Sequence, residues 1–91
     1  MKVVINKCFG GFGLSEVALI RYKNESGKSD IFYWEILRDD PILVSIVEEL
    51  TEDSWGKFAE LSVVEIPDDI EWQIENFDGI EHIAEKHQTW G

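Results

Sequence analysis

Val3-Val4-Ile5-Asn6-Lys7-Cys8-Phe9-Gly10-Gly11-Phe12-Gly13-Leu14-Ser15 opens the chain with a β-rich run, breaks it with glycines, and closes on a helix cap. Three β-branched residues in a row favour an extended strand, and Gly10 to Gly13 end it. Ser15 can accept a backbone N–H of the next turn, Glu16 suits the positive end of a helix, and Leu14 and Leu19 are spaced as a hydrophobic staple. A helix is therefore predicted from Ser15 to about Asn24, with Gly27 closing it. Strand, glycine loop and helix in this order predict an α/β fold.

The rest of the chain extends that pattern. Residues 30–37 hold Ile31-Phe32-Tyr33-Trp34 and Ile36, a run that suits a central strand apolar on both faces. Asp40-Pro41 reads as a cap followed by proline at the first helical position, and Leu43, Ile46, Val47 and Leu50 recur at helical spacing. Glu48 and Glu49 near the negative end of that helix call for fraying or for a basic neighbour such as Lys57. Residues 51–60 read as loop around Trp55-Gly56, and 61–66 as a strand stopped by Pro67 and the Asp68-Asp69 turn. Glu71 to Phe77 alternates polar and apolar residues up to Asp78-Gly79, a two-residue hairpin signal with a return strand through Ile80, His82, Ala84 and Lys86. A helix over 80–87 is the competing reading; the hairpin is favoured. The expected architecture is a single domain over 1–91, a small sheet with a β-α-β-α-β core and a C-terminal antiparallel hairpin. Its first half is expected to be parallel, joined by right-handed crossovers.

Composition bounds what such a domain does. The chain has 91 residues and a formal net charge of -11. Residues 1–38 carry six basic and four acidic side chains, whereas 39–91 carry two basic and fifteen acidic ones. Direct nucleic-acid or anionic-membrane binding is disfavoured, because those surfaces attract Lys and Arg. The acids read either as a solubilising face or as a surface for a basic partner protein. No apolar run approaches a membrane span and no signal-peptide pattern opens the chain, so a cytoplasmic location is expected.

A parallel sheet gathers the loops after its strands at one edge, where ligands usually bind. The candidate ligand-binding residues are accordingly Asn6, Lys7, Phe9, Gly10, Gly11, Phe12, Gly13, Ser15 and Arg38. Glycine N–H groups and the start of the helix would hold a phosphate, Lys7 or Arg38 would add charge, and Phe9 or Phe12 would stack a base. The same glycines can equally be a turn that only brings the strand round into the helix. Catalytic constellations are poor. His82 and His87 are five apart, a spacing that does not chelate one metal, and a lone Cys8 reads as packing. Asp39-Asp40 and Asp68-Asp69 are better explained as a cap and a turn than as a cation site. No metal, cofactor or catalytic residue is expected. Trp90 and the many aromatics predict a homo-oligomer, since a monomer of this size struggles to cover them.

The stretch Ile5 to Ser15 also resembles the opening of a family of small, acidic, mostly uncharacterised bacteriophage and prophage proteins. Arg38-Asp39-Asp40-Pro41, Val47-Glu48-Glu49-Leu50, Val63-Val64-Glu65-Ile66-Pro67-Asp68-Asp69, Asp78-Gly79, Ala84-Glu85-Lys86-His87 and Thr89-Trp90 look like its remaining blocks, while Tyr22 to Tyr33 matches least. The family brings no settled activity. The resemblance implies an accessory protein acting in the cytoplasm of an infected host cell against a host defence. Two modes follow: sequestering a nucleotide-like signal in the glycine loop without turnover, or covering a basic site on a host defence protein with the acidic surface.

Overall fold

The computed structural model describes residues 1–85, so Lys86, His87, Thr89 and Trp90 lie outside the described residues. Four strands and two α-helices follow the order β1 (Lys2–Asn6), α1 (Glu16–Ser26), α2 (Pro41–Leu50), β2 (Leu61–Glu65), β3 (Trp72–Phe77) and β4 (Ile80–Glu85). The mixed α/β class and the C-terminal hairpin are as expected. Single 3₁₀ turns occupy Tyr33–Glu35 and Thr51–Ser54.

Local chemistry explains the helices. Ser15 Oγ accepts the Ala18 N–H at 3.2 Å, and Gly27, at φ +74°, returns its N–H to Lys23 O at 3.0 Å. Asp40 caps α2 by accepting the Ile42 N–H at 2.8 Å, with Pro41 at the first position. The buried face of α2, Leu43, Val44, Ile46 and Val47, meets Ala18 and Tyr22 of α1 and Val4 of β1 in the core. Full burial of Leu43 or Ile46 contributes about 1.5–3 kcal/mol each. The acids late in α2 find Lys2 and Arg21 as partners rather than Lys57: Lys2 Nζ lies 2.8 Å from Glu48, and Arg21 bonds Glu49. The hydrogen bond to Glu48 holds the Lys2 ammonium above its usual range.

Two expectations are corrected. Residues 30–37 do not form a central strand. The Glu35 carboxylate folds back to accept the Phe32 N–H at 3.0 Å, closing a 3₁₀ turn that leaves Phe32, Trp34 and Leu37 exposed while Ile36 enters the core and Ile31 packs against it. A strand's preference resides in its neighbours more than in its backbone, and here local capping wins. Just after the segment, Arg38 O accepts the Val4 N–H of β1 at 2.8 Å.

The second correction concerns the parallel first half. With no strand between the helices, the chain returns from α2 to pair β2 antiparallel to β1, in the one-to-one register Lys2↔Glu65 to Asn6↔Leu61. β3 and β4 form a separate antiparallel pair, Trp72↔Glu85 to Phe77↔Ile80. Asp78 and Gly79 turn between them with positive φ, 52° and 97°, as a two-residue hairpin demands. β1 is buried from Val3 to Asn6, and both α2 and β4 pack against it.

Candidate functional site

The antiparallel pairing separates the loops that a parallel sheet would have gathered. Ile66 N–H bonds Met1 O, so Pro67-Asp68-Asp69 sits at one end of the β1–β2 sheet, where Asp68 pairs with the Met1 ammonium. The glycine loop leaves the other end, beside residues 56–60 and the β3–β4 turn. Its predicted ligand groups divide sharply into those engaged by the fold and those left open.

Asn6 and Arg38 are engaged. Asn6 is fully buried, and its amide ties three segments together. Nδ2 donates to Cys8 O at 2.6 Å and Gly79 O at 2.7 Å, while Oδ1 accepts the Cys8 N–H at 3.3 Å and the Glu60 N–H at 2.8 Å. Arg38 makes a two-pronged pair with Glu81, Nη1 to Oε1 at 2.5 Å and Nη2 to Oε2 at 2.8 Å. The side chains are 19% and 5% exposed. Its guanidinium also reaches Val4 O at 3.4 Å and lies 3.6 Å above the Phe12 ring centroid. Ser15 Oγ is engaged as well, donating to Asp53 O at 2.6 Å besides capping α1. Glu16 then places a negative charge where a phosphate would rest.

Three of the glycines, Gly10, Gly56 and Gly79, serve close backbone packing. A Cβ on Gly10 would stand 2.1 Å from Phe58 O, and one on Gly56 2.8 Å from the Gly13 carbonyl carbon. Gly56 N–H bonds Gly13 O at 2.9 Å, and Leu14 pairs with Trp55 beside it. Gly79 approaches in the same way: its Cβ would meet Phe9 O at 2.1 Å. Gly11 differs, with φ +89° and open space around the missing Cβ.

Open space remains between these backbones. A cleft of about 230 Å³ is lined by Gly10, Gly11, Phe12, Gly13 and Leu14 on one side and by Tyr33 and Gly56 to Ala59 on the other. Of the predicted residues, four glycine-loop members line it; Asn6, Lys7, Phe9, Ser15 and Arg38 do not. Lys57 and Phe58 are not among the site residues expected from the sequence, whereas Tyr33 belongs to the aromatic run expected to flank the loop. The signal for the first two was Gly56, which marks a second point of close backbone approach. Two other hollows, of about 420 Å³ along Ile20 to Ser29 and about 340 Å³ between Met1 and α2, lie away from the loop.

Around the cleft the surface is aromatic. Phe9 is 73% exposed, and Phe58 and Phe77 are each 66% exposed beside the loop and the hairpin turn. Phe32 stacks on Trp34 at 4.5 Å, Trp34 meets Tyr33 edge-on at 5.0 Å, and Tyr33 lies 6.0 Å from Phe12. The acidic surface is also reordered: Glu81 is buried, whereas Glu75 sits on the opposite face of the hairpin, 2.9 Å from His82. Among the described residues no three His, Cys, Asp or Glu side chains are grouped as metal ligands, and no helix is long and apolar enough to cross a membrane.

No family model matches the chain, and no curated protein or solved structure matches it either.

Proposed function

We propose that the protein is a binding module that occupies a basic site on a partner protein, without catalysis. The observation that supports this best is the set of large exposed aromatic side chains, Phe9, Phe32, Trp34, Phe58 and Phe77, on a chain of net charge -11. Exposed rings of this number mark interaction surfaces, and rings bordered by charge give an interface its anchors and its orientation. Arg38, one of the two cations expected at a phosphate, is engaged by Glu81, which weighs against a nucleotide site built on it. In the phage setting that the sequence resemblance implies, the partner is a host defence protein. Self-association uses the Phe32–Trp34 stack: added salt screens the repulsion and raises the mass seen by light scattering, and Trp34→Ser removes the rise.

A second reading, sequestration of a nucleotide-like small molecule, is favoured by one feature, the glycine-lined cleft with Lys57 at its rim. Native mass spectrometry of the protein purified from infected cells separates the two. Retention of a protein partner that is lost when Glu60, Glu65, Glu71 and Glu75 are changed together to Lys supports the first reading. A retained small mass that disappears in Lys57→Ala supports the second and overturns the first.

A further inference from the structure

The two-stranded sheet has two outer edges. In the β1–β2 register, odd-numbered β1 residues and even-numbered β2 residues turn their N–H and C=O groups toward each other. The flanking bonds Ile66 N–H to Met1 O (2.8 Å) and Lys7 N–H to Glu60 O (2.7 Å) set this phase. Leu61, Val63 and Glu65 therefore direct theirs outward, and among the described residues no backbone or side-chain group bonds them. Leu61 is buried in the core, Val63 is half-buried and Glu65 exposed, so the accessible part of the edge runs from Val63 to Glu65. Soluble proteins blunt such an edge with lysine, proline or a bulge. Leu61-Ser62-Val63-Val64-Glu65 has no lysine or proline, and its pairing is one-to-one throughout.

An open, flat edge selects an extended strand as its occupant, because only another backbone matches its alternating donors and acceptors. Charge selects the kind of strand. Glu60 and Glu65 are exposed at the two ends of the edge, and the turn holding exposed Glu52 and Asp53 packs against β2. Lys2, the cation across from Glu65, is bonded to Glu48. Exposed Lys7, across from Glu60, and Lys57 bring two positive charges to that end of the edge, and the four carboxylates outnumber them. A second copy would bring a further charge of -11 to this acidic strip, whereas a basic segment neutralises it. From this complementarity we infer that the outer edge of β2 accepts a lysine- or arginine-bearing extended segment of a partner protein as an added strand. The inference rests on the basic-partner reading and names where that partner engages.

The probe is a capped heptapeptide of alternating lysine and valine, with alternating glutamate and valine as the charge control, followed by residue-resolved amide hydrogen exchange. The lysine peptide is expected to slow exchange at Val63 and Glu65, and the glutamate peptide is not. Glu65→Pro deletes one outward N–H that the fold does not use and should weaken binding about tenfold, the loss of one backbone hydrogen bond. Glu65→Gln, which keeps that N–H, should bind more tightly than Glu65→Pro, and it carries the comparison if the proline variant does not fold. Binding of the lysine peptide that leaves these two amides unprotected, or a folded Glu65→Pro that binds like the parent, overturns the edge assignment while the basic-partner reading stands. Equal failure of both peptides to bind overturns the edge assignment, and the basic-partner reading is then decided by the native mass spectrometry above. Concentration-dependent protection of the two amides without peptide assigns the edge to a second copy and overturns the inference.

Discussion

The outer edges of β1 and β2 carry the same row of backbone donors and acceptors but are treated oppositely. On β1, Val4 N–H bonds Arg38 O, Val4 O accepts from the Arg38 guanidinium, and Asn6 N–H bonds the Glu81 carboxylate at 2.8 Å. On β2, no group among the described residues bonds the outward backbone of half-buried Val63 or exposed Glu65. The difference follows from burial. β1 is enclosed from Val3 to Asn6, so an unmatched backbone group there costs about 1–3 kcal/mol, whereas the edge at Val63 and Glu65 is reached by water. One arginine and one glutamate thus do for β1 what a neighbouring strand would have done. The open edge of β2 is left available for binding.

Breaking the closed edge has the largest expected effect. Glu81→Ala leaves the Arg38 guanidinium half-buried and unpaired and orphans the Asn6 N–H. A loss of about 3–5 kcal/mol in urea unfolding is expected. Arg38→Met with Glu81→Leu should cost less than the two single changes added, because no charge is then stranded. If Arg38 instead served a ligand, Arg38→Ala would leave stability unchanged.

The glycines give a second contrast within the same corner. Gly79→Ala drives a Cβ into Phe9 O at a φ of +97°, and about 2–4 kcal/mol should be lost. Gly11→Ala meets nothing, so only its φ of +89° opposes it, at about 1 kcal/mol. Thermal unfolding of both variants would refute this ranking if Gly11→Ala proved the more damaging.

Tyr22 anchors the chain just beyond Arg38. Its buried hydroxyl donates to Asp40 at 2.7 Å, and burial, then the hydrogen bond and charge of Asp40, push its pKa up to about 12. The fold favours the protonated phenol. Its contribution is therefore complete below the unfolded value of 10.0 and is lost as pH rises through about 12. Tyr22→Phe should cost about 1.5–3 kcal/mol at neutral pH and flatten the decline in urea midpoint between those two values.

Much of this architecture is legible locally. Asp40-Pro41 with apolar residues at helical spacing, Ser15 with Gly27, and Asp78-Gly79 between alternating runs each carry their element within a few residues. The 30–37 segment misleads because its aromatics describe a buried strand while Glu35 supplies a competing cap. The Arg38–Glu81 pair is illegible for another reason: its members stand 43 residues apart and meet only once the hairpin has docked. The glycine loop was legible as a turn from strand to helix, but its neighbours, residues 56–58, are set by the return of the chain into β2, which the expected parallel topology concealed.

The smallest expected effect lies on the open edge. Glu65→Pro removes an N–H that the fold does not use and should shift stability within about 0.5 kcal/mol. Ser62→Pro deletes one facing β1 and should cost about 1–3 kcal/mol.

Residue-resolved hydrogen exchange of the unliganded protein tests the difference between the two edges most directly. Val4 and Asn6 should exchange slowly, near the global unfolding limit, and Val63 and Glu65 should exchange far faster. Exchange at those two as slow as at Val4 and Asn6, independent of protein concentration, would contradict the account, because the edge of β2 would then already be closed.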